Sequence, residues 1–390
     1  MTPAERRSSA SLASIFALRM LGLFLVLPVF ALEAARYPGG QDASRVGLAM
    51  GIYGLTQALL QIPLGMASDR YGRKRIIILG LLVFAAGSLM AALAQNLTWL
   101  MVGRALQGAG AVSAAVTALL ADQTRDEVRT KAMALVGASI GLMFALSLLL
   151  APLLVAEIRL AGLFALTGVL ALIGIAVVHW WVPAEPAQHK DLPRGKLSEV
   201  LRHPGLLRLD AGVFILHAVQ LAMWVAVPAL LVQAGLDKDH HWWVYLPAVL
   251  ASFVVMGGTL FPLEKRGHLR AVFLGAITLI GLVQLGLYLV ADVPGIASLA
   301  LLLFAFFCGF NVLEASQPSL VSRIAPAHAR GAALGVYNTL QSLGFFAGGA
   351  AGGWLVQHHG VQALFIGSAA AMALWLLLAW PMTAPGRKAP

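Results

Sequence analysis

The chain has 390 residues, 59% of them hydrophobic and only 11% charged, with a mean hydropathy of +0.83. A soluble surface carries roughly 25% charged residues, so water is excluded as the main solvent, and about 230 apolar side chains approach the ~240 that twelve spans of ~20 residues would use. A single cysteine, Cys308, excludes a disulfide scaffold or thiolate metal cage, and the net charge of +10 comes without an exposed basic domain, which argues against a nucleic-acid partner.

Apolar runs bounded by charged or Pro/Gly-rich breaks fall at 12–34, 46–68, 76–95, 98–121, 132–156, 160–182, 209–235, 242–262, 270–290, 295–322, 332–356 and 361–381. They are continuous rather than alternating, and lipid admits only helices or closed barrels, so they predict twelve transmembrane helices. The first run follows Arg6 and Arg7, exceeds twenty residues and has no small-residue cleavage site after it, so it reads as an uncleaved span. Lys and Arg divide 21 to 4 between the two sides, with Arg19 and Arg104 inside spans. That bias predicts a multi-pass protein of the inner (plasma) membrane with both termini cytoplasmic.

The longest hydrophilic stretch, with Pro183, Pro186, Pro193 and Pro204, divides the runs six and six: an N-terminal bundle at 1–182, a cytoplasmic linker at 183–208 and a C-terminal bundle at 209–390. An amphipathic surface helix is expected in the linker around Leu197 to Leu207. The halves match each other: the segment from Leu21 to Pro28 aligns with Leu221 to Pro228, and Lys131 to Leu135 aligns with Arg330 to Leu334, at offsets of 200 and 199. Two matches in one order argue for a duplicated six-helix unit with a midplane site, as transporters have.

Between the second and third runs lies Gly65-Met66-Ala67-Ser68-Asp69-Arg70-Tyr71-Gly72-Arg73-Lys74-Arg75, which resembles the loop signature of the major facilitator superfamily, departing only at Ala67. The resemblance implies a conformational latch made of Gly65, Asp69, Arg70, Gly72, Arg73 and Asp122. In that family the acid matching Asp69 meets span eleven of the opposite half, and the base matching Arg73 pairs with an acid at the end of span four, where Asp122 stands. A plain positively charged loop is the simpler alternative. In the second-half counterpart Pro262 replaces the key acid, so a weaker latch is expected there.

The fourth run carries Arg104, Gln107, Gly108 and Gly110 in a pattern similar to the superfamily's second signature. An arginine in hydrocarbon costs from about 3 to over 10 kcal/mol, so Arg104 should face protein or water. The resemblance implies proton coupling; a structural role, tying helix carbonyls together, stays open. The fifth run, with Gly137, Gly141 and Ala151-Pro152, only partly resembles the glycine-rich stretch of superfamily antiporters, where helices pack closely. Stretches around Arg19, Gly51 to Pro63, Phe310 to Ser319 and Gly335 to Gln341 are similar to the YajR-type drug/proton antiporters of that superfamily. Members of that branch can carry a small soluble C-terminal domain; none is expected here, because the chain stops about nine residues after the twelfth run.

Tyr53, Gln57 and Gln61 are spaced four apart and form a polar stripe on one helix face. With Gln107, Gln220, Trp224, Asn311, Tyr337 and Gln341 they make candidates for a substrate cavity suited to apolar or weakly polar molecules; packing between helices is the alternative for any one amide. Glu314 reads as the one acid clearly inside a span, since Glu33 and Asp210 lie near span ends. Glu314, His217 and Arg104 are therefore the candidates for proton coupling, Glu314 pairing with Arg323 or a helix end being the alternative. The pairs His240-His241 and His358-His359 lack metal-ligand spacing, and Trp180, Trp181, Trp242 and Trp243 read as interfacial anchors.

The expected protein is an all-α, twelve-helix major facilitator transporter without catalytic residues, cofactor or metal. It would work as a monomer among membrane lipids, by alternating access, exporting a hydrophobic or drug-like molecule in exchange for protons. A proton symporter or a metabolite or lipid carrier would leave the same sequence features. A membrane sensor leaves the latch unexplained, and an intramembrane enzyme would need a nucleophile-base pair or a metal motif that the chain lacks.

Overall fold

The computed structural model describes residues 1–110, 112–185, 197–326 and 329–382. Within them the chain is helical throughout, with no strand. The helices are α1 (Pro3–Ala34), α2 (Ala43–Tyr71), α3 (Arg73–Ala92), α4 (Leu97–Ala109), α5 (Ser113–Asp122), α6 (Asp126–Ala176), α7 (Leu197–Val200), α8 (Pro204–Gln233), α9 (Trp242–Lys265), α10 (Leu269–Val290), α11 (Ile296–Ile324) and α12 (Arg330–Ala379). They group into two compact units, Met1–Asp191 and Leu192–Pro390. Large apolar side chains such as Leu59, Val254, Leu289 and Leu377 point outward, as they must where lipid is the solvent.

Local chemistry starts and stops these helices. Thr2 and Glu5 form a reciprocal capping box at the start of α1, with Pro3 at the first helical position. The Asp42 carboxylate accepts from the amides of Ser44 and Arg45, and Asn96 accepts from Trp99, which supplies partners for otherwise orphaned N–H groups of α2 and α4. Gly72, at φ +100°, ends α2 and lets α3 begin at the next residue.

Among the described residues ten stretches are long and apolar enough to cross a membrane, α4 and α5 together making one of them. Two of the ten are far longer than a bilayer requires: α6 has 51 residues and α12 has 50. At 1.5 Å per residue each would extend about 75 Å, more than twice the ~30 Å hydrocarbon core. Both contain a break, at Arg159 (φ +58°) in α6 and Gly360 (φ +81°) in α12. These breaks stand where the sequence separates runs five from six and eleven from twelve.

The first unit is built on α1 packed against α6, with α3 against α4 and α6; the second on α8 packed against α12, with α10 against α11 and α12. Each leading helix carries an internal buried proline, Pro28 and Pro228. The α8–α12 contact is backbone to backbone: a Cβ added to Gly344 or Gly348 would stand 2.4 or 2.1 Å from the carbonyl oxygen of Phe214 or Ala218. Close glycine packing also holds the first unit, where a Cβ added to Gly108 would stand 2.1 Å from the Tyr53 carbonyl oxygen.

Two expectations change. The fourth run is two helices, because Gly110 leaves helical geometry (φ −77°, ψ +38°) between α4 and α5. The surface helix around 197–207 is reduced to the single turn α7, because Pro204 opens α8. The middle of the linker, with Pro186, Lys190, Pro193, Arg194 and Lys196, lies outside the described residues, as do Arg387 and Lys388.

Candidate functional site

Three polar clusters interrupt the apolar packing, two in the first unit and one in the second. The first stands at the α2–α3 turn. Arg73 is ion-paired with Asp69 one turn back, its Nε lies 3.1 Å from Asp122 Oδ2 at the end of α5, and its Nη1 donates to Ser68 Oγ at 2.7 Å. A Cβ added to Gly65 would meet Ala114 of α5 at ordinary contact distance. Arg70 lies apart, exposed, with its guanidinium over the Tyr71 ring. The sequence reading omitted Glu185, whose carboxylate accepts from the backbone amides of Arg73 and Lys74 at 3.0 and 2.7 Å. An anion at the positive end of α3 is the expected helix-terminus pairing. In the second unit Arg323, at the end of α11, pairs with Glu264, at the end of α9. The arrangement resembles Arg73–Asp122 with the signs exchanged, so Arg323 is not available to Glu314 as the sequence alternative had it.

The second cluster is the interior of the first unit. Arg104 is 1% exposed. Its Nε and Nη2 donate to the backbone carbonyls of Ala49 and Met50 at 3.5 and 3.1 Å, and Nη1 to Gln107 Oε1 at 3.2 Å. Gln107 in turn donates to Ser88 Oγ at 2.8 Å. The guanidinium also sits over the rings of Phe30 and Tyr53. Arg104 therefore ties α4 to α2, and Gln107 ties α4 to α3.

Arg19, which the sequence reading placed in a span without giving it a role, occupies the same interior. Its Nη1 donates to Ser113 Oγ at 2.7 Å, and its Nη2 to Tyr53 Oη at 2.6 Å and Gln57 Oε1 at 2.9 Å. Two members of the predicted α2 stripe thus meet a fixed positive charge, where a surface with few charges was expected. Gln61, the third member, is buried with neither amide atom bonded. A cation inside an apolar run was the signal that could have singled out Arg19.

The third cluster joins α8, α11 and α12. His217 donates from Nδ1 to the Val213 carbonyl at 2.9 Å. Its Nε2 lies 2.8 Å from Gln341 Nε2 and 3.3 Å from Glu314 Oε2, and Gln341 Nε2 also reaches Glu314 Oε1 at 3.4 Å. A neutral ring with its proton on Nδ1 accepts at Nε2 from the Gln341 amide; a protonated ring donates there to the Glu314 carboxylate. Phe310 and Phe345 pack edge-on against the imidazole.

Asp210 is more buried than Glu314. Because α8 starts at Pro204, Asp210 falls inside the helix and is 2% exposed, whereas the Glu314 side chain is 38% exposed. Asp210 Oδ2 and Tyr337 Oη are both buried without a hydrogen bond. The remaining candidates lie elsewhere in this unit. Asn311 donates to Ser252 Oγ at 2.7 Å, joining α11 to α9, and Gln220 and Trp224 border a small cavity with Leu303 and Phe306.

The sequence matches the Major Facilitator Superfamily over residues 12–349 and again over 262–390. It is 41% identical over 389 residues to the inner membrane transport protein YajR of Escherichia coli K12, covering 99% of this chain and 85% of that one. It is 28% identical over 358 residues to the multidrug resistance protein MdtH of Aeromonas hydrophila, covering 88% of this chain and 86% of that one. The crystal structure of a bacterial homolog of the human lysosomal transporter Spinster superposes with a TM-score of 0.71 at 14% identity, covering 97% of each chain. Relatives and fold neighbours alike are transporters rather than enzymes. With the family matched along nearly its whole length, this chain belongs to the major facilitator superfamily.

Proposed function

We propose that the protein is a secondary transporter of the inner membrane that works by alternating access and exports a drug-like small molecule in exchange for protons. The observation that carries the proton coupling is the contact of His217, Gln341 and Glu314. One ring nitrogen faces both an amide donor and a carboxylate, so gain or loss of a proton exchanges its partner. A proton carrier needs such an exchange, and an acid held permanently by an arginine would lack it. The substrate class is supported by the likeness to a multidrug resistance protein.

The breaks in α6 and α12 support twelve crossings, and the Lys/Arg bias supports cytoplasmic termini. On that topology the α2–α3 turn is cytoplasmic, and Asp69, Arg73 and Asp122 form a latch that holds one conformation and opens in the other. Arg104 serves the frame of the first unit, since its donors are taken by helix carbonyls and Gln107.

The test is proton flux in liposomes carrying an internal pH dye, challenged with a panel of drug-like compounds. Glu314→Gln abolishes substrate-driven proton movement while substrate binding persists. Flux equal to wild type in that variant removes Glu314 from the mechanism.

A further inference from the structure

We propose that Arg19 is a docking point for the anionic group of a ligand, so that the first unit takes organic anions with a single carboxylate and an apolar body. The inference rests on the transporter reading above and names a substrate class for it.

Arg19 is 2% exposed, and the three acceptors it uses, Ser113, Tyr53 and Gln57, are all uncharged. Among the described residues no carboxylate is paired with it, and its Nε has no acceptor. A guanidinium buried without a counter-charge is costly, and neutral hydrogen bonds only partly compensate. Arg104 in the same unit is held by backbone carbonyls that cannot move away. Arg19 is held by side chains that can rotate, and Gln57, half-buried, is the acceptor a ligand would displace first.

A second, independent observation points the same way. Gln61 lies one helical turn from Gln57 on the same face of α2, is 1% exposed, and has neither its amide nitrogen nor its oxygen bonded. Arg19 Nε is thus an N–H without an acceptor, and Gln61, on the same helix face, leaves one donor and one acceptor atom unbonded. A carboxylate supplies two acceptor oxygens that fit the Nε and Nη edge of a guanidinium, in charge-assisted bonds roughly twice as strong as neutral ones. Apolar groups surround the charge: the Phe84 ring lies under the guanidinium at 5.8 Å, and Leu23 and Met20 pack with it. That surrounding suits an aromatic or aliphatic body and disfavours a small hydrated ion. In this low-dielectric interior a ligand cation would be repelled by Arg19.

The experiment uses the purified full-length protein in detergent and matched probes: naphthyl, biphenyl and decyl carboxylates, their primary amides, and the corresponding amines. Binding is followed by tryptophan fluorescence and by the shift of the melting midpoint. At least one carboxylate should bind about 10-fold to 100-fold more tightly than its amide, the worth of a hydrogen-bonded charge, with the amine weakest. Arg19→Gln should erase the preference for carboxylate over amide, and Arg19→Lys should keep part of it, having the charge without the fork. Should Arg19→Gln fail to fold, the wild-type comparison and Arg19→Lys decide.

Amines binding as tightly as carboxylates, an unchanged preference in the variants, or no binding by any carboxylate overturns the proposal. The same probes in liposomes with the internal pH dye separate it from the transporter reading. Carboxylates that bind without moving protons leave the anion site standing and overturn proton-coupled export. Flux driven by amines and unaffected by Arg19→Gln does the reverse.

Discussion

Arg104 and Arg19 lie in one helical unit, are almost equally buried, and are held differently because their acceptors differ. Three directed bonds, two of them to carbonyls on α2, make Arg104 a brace. We expect Arg104→Gln to lower the unfolding free energy by about 2–3 kcal/mol, the worth of bonds from a charged donor, read as a fall in melting midpoint in detergent. Arg104→Lys should recover only a part, since an ammonium cannot span both carbonyls and Gln107. Full recovery would mean that charge, rather than the planar fork, is what the position requires. Sequence reasoning identified Arg104 from its cost in hydrocarbon, but the same argument applied to Arg19 and was not used. Which acceptors an arginine meets depends on neighbours far along the chain: Arg19 bonds residues 34, 38 and 94 positions away.

At the scale of the element, the two longest helices put their breaks in equivalent places with unequal residues. Gly360 adopts φ +81°, ψ +171° without steric cost, whereas Arg159 holds φ +58°, ψ −179°, a region nearly restricted to glycine. Such a residue stores about 1–3 kcal/mol of backbone strain. Arg159→Gly should therefore raise the melting midpoint of the purified protein, and Gly360→Ala should lower it. A loss of stability in Arg159→Gly would show that the arginine side chain contributes more than its backbone costs. The run lengths made these breaks legible, since no single span uses fifty residues. The break between α4 and α5 was not legible, because Gly108 and Gly110 also fit a continuous helix packed on its neighbours. The burial of Asp210 was not legible either: the start of α8 lies at Pro204, five residues before the apolar run does.

At the scale of the molecule, the embedded charges differ between the units. The first buries Arg19 and Arg104, with Glu33 near the end of α1, and the second buries Asp210 and His217, with Glu314 half-buried beside the imidazole. Topology is the property most open to direct test, because Cys308 is the single cysteine and is buried. In a Cys308→Ala background, a cysteine at Lys238 should react with a membrane-impermeant maleimide added outside intact cells. A cysteine at Arg75 should react only after permeabilisation. Equal labelling of both positions in intact cells would overturn cytoplasmic termini. The sequence by itself determined that this is an all-helical membrane protein of the major facilitator superfamily, with a repeated plan and an Asp69–Arg73–Asp122 loop. Hydrophobic length, charge bias and short-range spacing are local and additive, so they survive being read along a line. Only the tertiary structure decided that Arg104 bonds helix carbonyls, that Gln341 and Glu314 meet at one nitrogen of His217, and that Arg19, buried, pairs with no carboxylate among the described residues. Those facts depend on which faces of non-adjacent helices pack together, and no linear pattern records that.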